Sequence, residues 1–296
     1  MCHNFGMARF GGLDPRLDPY GSETNCARAF SLPDEFEGNV RSRSSPGLSV
    51  VVLNRNSPGL LESVLNGFKS ARAQFVAAGV GCELIIGDTG SNDQAAMHLL
   101  EVAESDGASV TRGLKYQFSA NNNVLSELAK YPTTLFMNND VLLSRNPSCL
   151  WMAYEVHRRT TDIVSVVLDF EDGRVQHRGV DFLRDDHFYG LSFHPGAGAI
   201  STHNPGEELS WPAVTGAFLM INTMLFARLG GFDESYAAEC QDIDLCLKAN
   251  RLGVGCRVVD AGPTVHLENA TRPKGEENWH DRQRFVRRWS SYIETL

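Results

Sequence analysis

The first 46 residues show no sustained alternation of apolar and polar positions and are rich in Gly, Pro, Ser, Arg and Asp, which predicts an irregular extension over residues 1–46. From residue 47 the pattern changes. "LSVVVL" (48–53) is a continuous, β-branched apolar run of the kind buried on both faces of a parallel sheet. Behind it Leu60, Leu61, Val64, Leu65, Phe68 and Phe75 recur at helical spacing. Asn56 or Ser57 is the expected N-cap of that helix, with Pro58 in its first turn and Gly79 as its stop.

The unit then repeats. "CELIIGD" (82–88) predicts a strand, "SNDQAAMHLLEVAESDG" (91–107) a helix, and "ASVTRG" (108–113) a short strand. "SANNNVLSELAKY" (119–131) predicts another helix and "TTLFM" (133–137) another strand. Strands alternating with helices imply βαβ crossovers, so the expected fold is a doubly wound, mostly parallel α/β sheet with helices on both faces. Farther along, "DIVSVVLDF" (162–170) reads as a strand, and Glu171–Pro205 has little periodicity. An irregular segment of about 35 residues inside a domain is more often a functional loop than a spacer. At the C-terminus Phe285, Trp289 and Tyr292 recur at helical spacing among Arg282, Arg284, Arg287 and Arg288, predicting an amphipathic helical segment within 273–296.

In open parallel sheets ligands bind outside the carboxyl ends of the strands. Three polar clusters fall there: Asn54-Arg55-Asn56, Asp88-Thr89-Gly90-Ser91 and Asn138-Asn139-Asp140. One polar strand end reads as a turn; three along one edge read as a site. Each alone stays ambiguous. "NND" is a turn or a set of oxygen ligands, and "DTGS" is equally an Asx-turn over the following helix.

Composition narrows the classes. With 296 residues, 42% of them hydrophobic and 21% charged, the chain is expected to be globular, as one large or two small domains. A net charge of −9 argues against non-specific nucleic-acid binding, which needs a basic face. The seven cysteines are scattered and contain no C-x-x-C pair, which predicts free thiols and no zinc site. No apolar run approaches the ~18 residues of a membrane span, and the first 30 residues hold no continuous hydrophobic segment. The expectation is a soluble cytoplasmic protein.

"LSVVVLNRN", "IIGDTGSND", "FMNNDVLL", "GAFLMI…LGGFDESYAAECQDIDLCLK" and a late His266, in that order, resemble glycosyltransferase family 2 over residues 47–272. Bacterial rhamnosyltransferase-like enzymes of polysaccharide assembly have a similar series. The resemblance implies a GT-A fold with a smaller acceptor-side region, a nucleotide-diphosphate-sugar donor, a divalent metal (manganese or magnesium) and inversion at the anomeric carbon. It implies that Asp140 anchors the metal and His266 completes its site, that Asn138 and Asn139 shape the loop or touch the donor ribose, and that Asp88 reads a uracil or thymine base. Leu53, Asn54 and Arg55 would lie beside base and ribose, Asn123 near the donor, and Gly216 of "VTGAFLMI" against the donor sugar. The segment "RVQHRGVDF" would place His177, Arg178 and Gly179 near the donor phosphates. Asp242 would be the base that takes the acceptor hydroxyl's proton. Gln241 stands where the family has an acid, and losing that like charge predicts a lowered pKa for Asp242.

The chemistry agrees with each role. A diphosphate leaving group gathers negative charge as it departs, and a hard divalent cation on oxygen ligands neutralises it. Inversion needs a carboxylate to take the hydroxyl proton as that oxygen attacks in line. Three other functional readings compete with this one. A nucleotidylyltransferase needs a Gly-rich basic loop after the first strand, where "LNRNSPG" holds one Arg and one Gly. A dinucleotide oxidoreductase needs G-x-G-x-x-G there, which is missing. The Asn138-Asn139 and Gln241 substitutions keep open a GT-A-like domain that binds a glycan or protein partner with little turnover. The Arg-bearing C-terminal helix is either a solvated or intramolecular face, or a peripheral contact with an anionic membrane where lipid-linked acceptors lie.

Overall fold

The computed structural model describes residues 45–185, 187–267 and 278–296. Of the expected N-terminal extension, residues 1–44 lie outside that set, and so does most of the link between His266 and the C-terminal helix. The strands are β1 (Gly47–Asn54), β2 (Gly81–Asp88), β3 (Ser109–Thr111), β4 (Thr133–Asn138), β5 (Ile163–Val166), β6 (Leu168–Asp169), β7 (Val175–His177), β8 (Asp181–Phe182), β9 (Ser192–Phe193), β10 (Glu208–Trp211), β11 (Phe218–Asn222) and β12 (Cys256–Val259). The helices are α1 (Pro58–Ala77), α2 (Gln94–Ser105), α3 (Phe118–Glu127), α4 (Ser148–Thr160), α5 (Thr223–Arg228), α6 (Gln241–Asn250) and α7 (Trp279–Ile293).

Eight strands form one sheet in the order β10-β12-β5-β11-β4-β1-β2-β3. β11 and β10 run against the others, so the sheet is mostly parallel, as its apolar runs predict. The alternation of side chains along β1 divides the core. Val50 and Val52 join an apolar layer with Leu61, Val64 and Phe68 of α1, Leu100 of α2 and Leu150 of α4. Val51 points to the opposite layer, with Leu125 of α3, Phe226 of α5, Leu247 of α6, and Phe285, Trp289 and Ile293 of α7. Helices therefore cover both faces, and the carboxyl ends of β1, β2 and β4 lie at one edge, in register: Asn54 opposite Asp88, and Leu53 opposite Asn138.

Two local expectations are corrected. Ser57 occupies the N-cap of α1 at φ 51 with no side-chain capping bond, and Asn56 beside it is also left-handed at φ 51. The Asn56 amide turns away from α1: its Oδ1 accepts from the backbone N–H of Asn92 (2.8 Å) and Asp93 (3.0 Å), just before α2. The run "DIVSVVLDF" is not one strand. β5 stays in the main sheet, and the chain then leaves it so that β6 pairs with β7 in a separate ribbon. Glu171–Pro205, expected to be irregular, thereby carries short antiparallel strands: β7, paired with β6 just before the segment, and β8 paired with β9. Strands of two or three residues leave no readable period.

Five cysteines among the described residues, Cys82, Cys149, Cys240, Cys246 and Cys256, are free and buried. Among the described residues no helix is long and apolar enough to cross a membrane. The α7 arginines are not all outward-facing. Arg282 Nε donates to Glu239 (2.8 Å), and Arg288 Nη1 lies 2.8 Å from Asp233 and 3.2 Å from Asp244.

Candidate active site

β4 ends on Asn138, and the chain turns through Asn139 to a buried Asp140. The strand is drawn to this edge by the apolar run behind it, and the turn is closed by Val141 N–H donating to Asn138 O (3.3 Å). The segment around His266 lies alongside: Val141 and His266 form an antiparallel bridge, and Leu267 N–H donates to Asp140 O (3.0 Å). The result is that His266 Nε2 stands 3.0 Å from Asp140 Oδ1, with Asn138 Nδ2 3.5 Å away.

The tautomer of His266 follows from its other nitrogen. Gln176 Nε2 donates to His266 O (3.1 Å), so the Gln176 Oε1 is the atom facing His266 Nδ1 at 2.6 Å. Nδ1 therefore carries the proton in neutral His266, and the Nε2 lone pair faces the Asp140 carboxylate. Two lone-pair donors side by side fit a shared cation. Asp140 Oδ1 and His266 Nε2, 3.0 Å apart, are close enough that both could reach one small divalent cation. Among the described residues no group of three or more His, Cys, Asp or Glu could hold a metal by itself. Asp140 and His266 could supply two ligands of a metal site.

Along the same edge Asn139 Nδ2 donates to Asn54 Oδ1 (3.0 Å), and Thr89 N–H to Asn54 O (2.8 Å). Asp88 is buried and accepts from Ser91 N–H (3.1 Å) and Ser91 Oγ, so the Asx-turn exists. A carboxylate has about four lone-pair sites, and the turn leaves some for a ligand. Leu53 is half-buried at the end of β1, and Arg55 is exposed.

On the other side of β4, Asn138 N–H donates to Ala217 O (3.0 Å), which brings the Gly216 loop to the sheet edge. Gly216 N–H donates to Asp242 Oδ2 (2.7 Å), and Ile243 N–H to Asp242 Oδ1 (2.9 Å). A Cβ on Gly216 would stand 3.2 Å from the Asp242 Cβ, so this glycine admits the carboxylate itself. Burial lifts the Asp242 carboxyl above its ordinary value, against the N–H groups of Gly216 and Ile243 that lower it. Residue 241 contributes no like charge, and desolvation decides the direction.

His177 is buried, with its Nδ1 3.0 Å from His194 Nδ1, so one of the two nitrogens donates. Burial, then the neighbouring His194 and His266, hold His177 well below the ordinary imidazole value and keep it neutral. Arg178 turns to Thr202 O (3.2 Å) and Gly179 packs on Trp211. Asn123 is not brought into the cluster. Its amide is committed to Phe232, donating to the carbonyl (2.9 Å) and accepting from the N–H (2.8 Å), because it pins the loop after α5. A cavity of about 380 Å³ lined by Phe68, Arg72, Cys82 and Tyr131 opens at the opposite ends of the strands and includes none of these residues.

No protein-family model matches the chain. O-antigen biosynthesis protein RfbC of Myxococcus xanthus is 27% identical over 249 residues, 81% of this chain. Rhamnosyltransferase WbbL of Escherichia coli K12 is 26% identical over 188 residues, 57% of this chain and 69% of WbbL. GalNAc-T7, solved with UDP, GalNAc and Mn²⁺, superposes with a TM-score of 0.59 at 15% identity, over 85% of this chain and 49% of its own. The chain has the GT-A fold, and its sequence resembles that of glycosyltransferase family 2. It spans 19% of the length of RfbC.

Two residues of this GT-A edge had no signal of their own in the sequence. Gln176 orients His266 from β7, a strand too short to announce an inward face. His203 bridges two buried carboxylates, Nε2 to Asp169 Oδ2 (2.9 Å) and Nδ1 to Asp260 Oδ1 (2.9 Å). Asp169 O in turn accepts from His266 N–H (3.0 Å), so the bridge backs the His266 segment.

Proposed function

We propose that this chain is a metal-dependent, inverting glycosyltransferase that moves a hexosyl-type sugar from a nucleotide-diphosphate donor to a hydroxyl of a glycan or lipid-linked acceptor. The observation that carries the reading is the convergence of Asp140 Oδ1 and His266 Nε2, 3.0 Å apart, at the edge of the sheet that also holds Asp88 and Asp242. The likeness to RfbC and WbbL supports the class, and UDP with Mn²⁺ in GalNAc-T7 supports the donor and metal types.

Asp140 and His266 would hold a divalent Mn²⁺ or Mg²⁺, which supplies charge neutralisation to the departing diphosphate. Asp88, with Leu53, Asn54 and Arg55, would form the base and ribose side, and its carboxylate suits the imide N–H of uracil or thymine. This favours a UDP- or dTDP-sugar. Asn138 and Asn139 would line the ribose and phosphate side. Asp242 takes the acceptor hydroxyl's proton while that oxygen bonds to the anomeric carbon from the face opposite the diphosphate, which leaves with its bonding pair. The Gly216 N–H keeps the Asp242 oxygen aimed.

The test is nucleotide release. The protein is incubated with UDP-, dTDP- and GDP-sugars, with Mn²⁺ or Mg²⁺ and then EDTA, and free diphosphate is measured. Metal-dependent release from one donor is the expected result. Asp242→Asn should lower turnover by about 10²–10⁴-fold while donor binding persists. Near-full activity in that variant would end the assigned mechanism, and silence of the wild-type protein without metal-dependent donor binding would favour the binding-domain reading.

A further inference from the structure

α7 touches the loop that delivers Asp242, and it does so through one carboxylate. Asp281, in the first turn of α7, is buried and accepts from three consecutive backbone N–H groups: Ala237 (3.0 Å), Ala238 (2.7 Å) and Glu239 (3.0 Å). The contact is reciprocal. The Glu239 side chain reaches back to the start of α7, accepting from Asn278 N–H (3.2 Å) and Arg282 Nε (2.8 Å). Immediately after this loop Cys240 adopts φ 72, a left-handed conformation unusual for a residue with a side chain, and α6 begins at Gln241 with Asp242 in its first turn.

A non-glycine residue stays left-handed only where its surroundings over-determine it. Here the loop before Cys240 is bolted to α7, and the helix after it is bolted too. Trp289 Nε1 donates to Asp244 Oδ1 (2.8 Å), and Tyr236 OH donates to the same oxygen (3.3 Å). The far side of Asp242 is fixed by the Gly216 N–H. Two independent supports thus set the position of the carboxylate, one on the sheet edge and one on the C-terminal helix.

We propose that Asp281 is a positioning residue for Asp242: it clamps Ala237–Glu239 and so holds the strained turn that aims the base at the acceptor. This rests on the glycosyltransferase reading for its catalytic half, while the clamp itself does not. Replacing the carboxylate by an amide of the same shape turns one acceptor into a donor facing other donors. The loop loses its anchor, while Phe285, Trp289 and Ile293 keep α7 docked.

The experiment compares wild-type protein, Asp281→Asn and the exposed control Arg287→Gln. Amide hydrogen exchange is read without any ligand. Diphosphate release is read with the donor and metal that the wild-type protein uses. In Asp281→Asn exchange at Ala237–Glu239 should quicken at least tenfold, with β1 and β4 unchanged. Turnover should fall at least tenfold while donor KM stays within twofold, and Arg287→Gln should match wild type in both readouts. Unchanged exchange in Asp281→Asn overturns the clamp. Faster exchange with unchanged turnover overturns the positioning role. Silence of the wild-type protein overturns the glycosyltransferase reading and the catalytic half with it, and exchange then decides the clamp alone. Where Asp281→Asn does not fold, Glu239→Gln breaks the reciprocal contact and carries the same readouts.

Discussion

A carboxylate that takes a proton during a reaction gains from a pKa lifted toward the working pH, and Asp242 is lifted by burial. The sign has two consequences. For activity, the base form is lost as pH falls through the native pKa, so the acid limb of kcat/KM should lie above the ordinary value of 3.8; a limb at or below 3.8 would assign the base elsewhere. For stability the direction is opposite to that of a salt-bridged acid. A native pKa above the unfolded one means that the ionised Asp242 opposes folding at neutral pH and that this opposition disappears as pH falls. Asp242→Asn should therefore leave Tm at pH 7 unchanged or raised while turnover collapses, and a Tm lowered by several degrees would show that the charge stabilises the fold. Asp88 illustrates how far one residue could be read beforehand. Its "DTGS" context left a turn and a ligand site equally open, and the turn to Ser91 is present with lone pairs to spare.

Elements decide what single residues cannot. β4 carries Asn138 to the sheet edge, the Gly216 loop is drawn there by the Asn138–Ala217 hydrogen bond, and α6 presents Asp242 to that loop. Adding one methyl tests the arrangement. In Gly216→Ala the new Cβ would meet the Asp242 Cβ at 3.2 Å and Oδ2 at 3.4 Å, so the carboxylate must shift. Turnover should drop about tenfold, with donor affinity nearly kept, because small displacements of a reacting group cost rate before they cost binding. Equal losses in both would place Gly216 against the donor sugar instead. The parallel strands β1, β2 and β4 were legible because buried strands need unbroken apolar runs. β6 to β9 were not, because strands of two or three residues hold no period and their pairing partners are set by tertiary contacts. The Asn56 amide shows the same limit: a cap for α1 by local sequence, it serves the start of α2 across the turn.

On the scale of the molecule, a site shared between strand ends and the His266 segment couples ligand binding to stability. On the proposed function, metal and nucleoside diphosphate would bind where Asp140 and His266 meet, and so should stabilise the native state by mass action. At a hundred times Kd this is about 2.7 kcal/mol, or roughly 5 °C in Tm for a chain of this size. Mn²⁺ with UDP should raise Tm, EDTA should abolish the rise, and His266→Ala should lose most of it; a metal-independent rise would remove these residues from the metal site. Resemblance to glycosyltransferase family 2, not local pattern, singled out Asp140 and Asp242; the local pattern was sufficient for the βαβ order, the two-faced core and the three polar clusters at one edge of the sheet. These depend on period, chain direction and strand ends, which neighbouring residues specify. Folding alone decided that Asn138 and His266, 128 positions apart, share one corner, that Gln176 fixes the histidine's tautomer, and that Asp281 grips the loop before Asp242. Such contacts form only when distant segments pack, and no local pattern encodes which partners the packing will bring together.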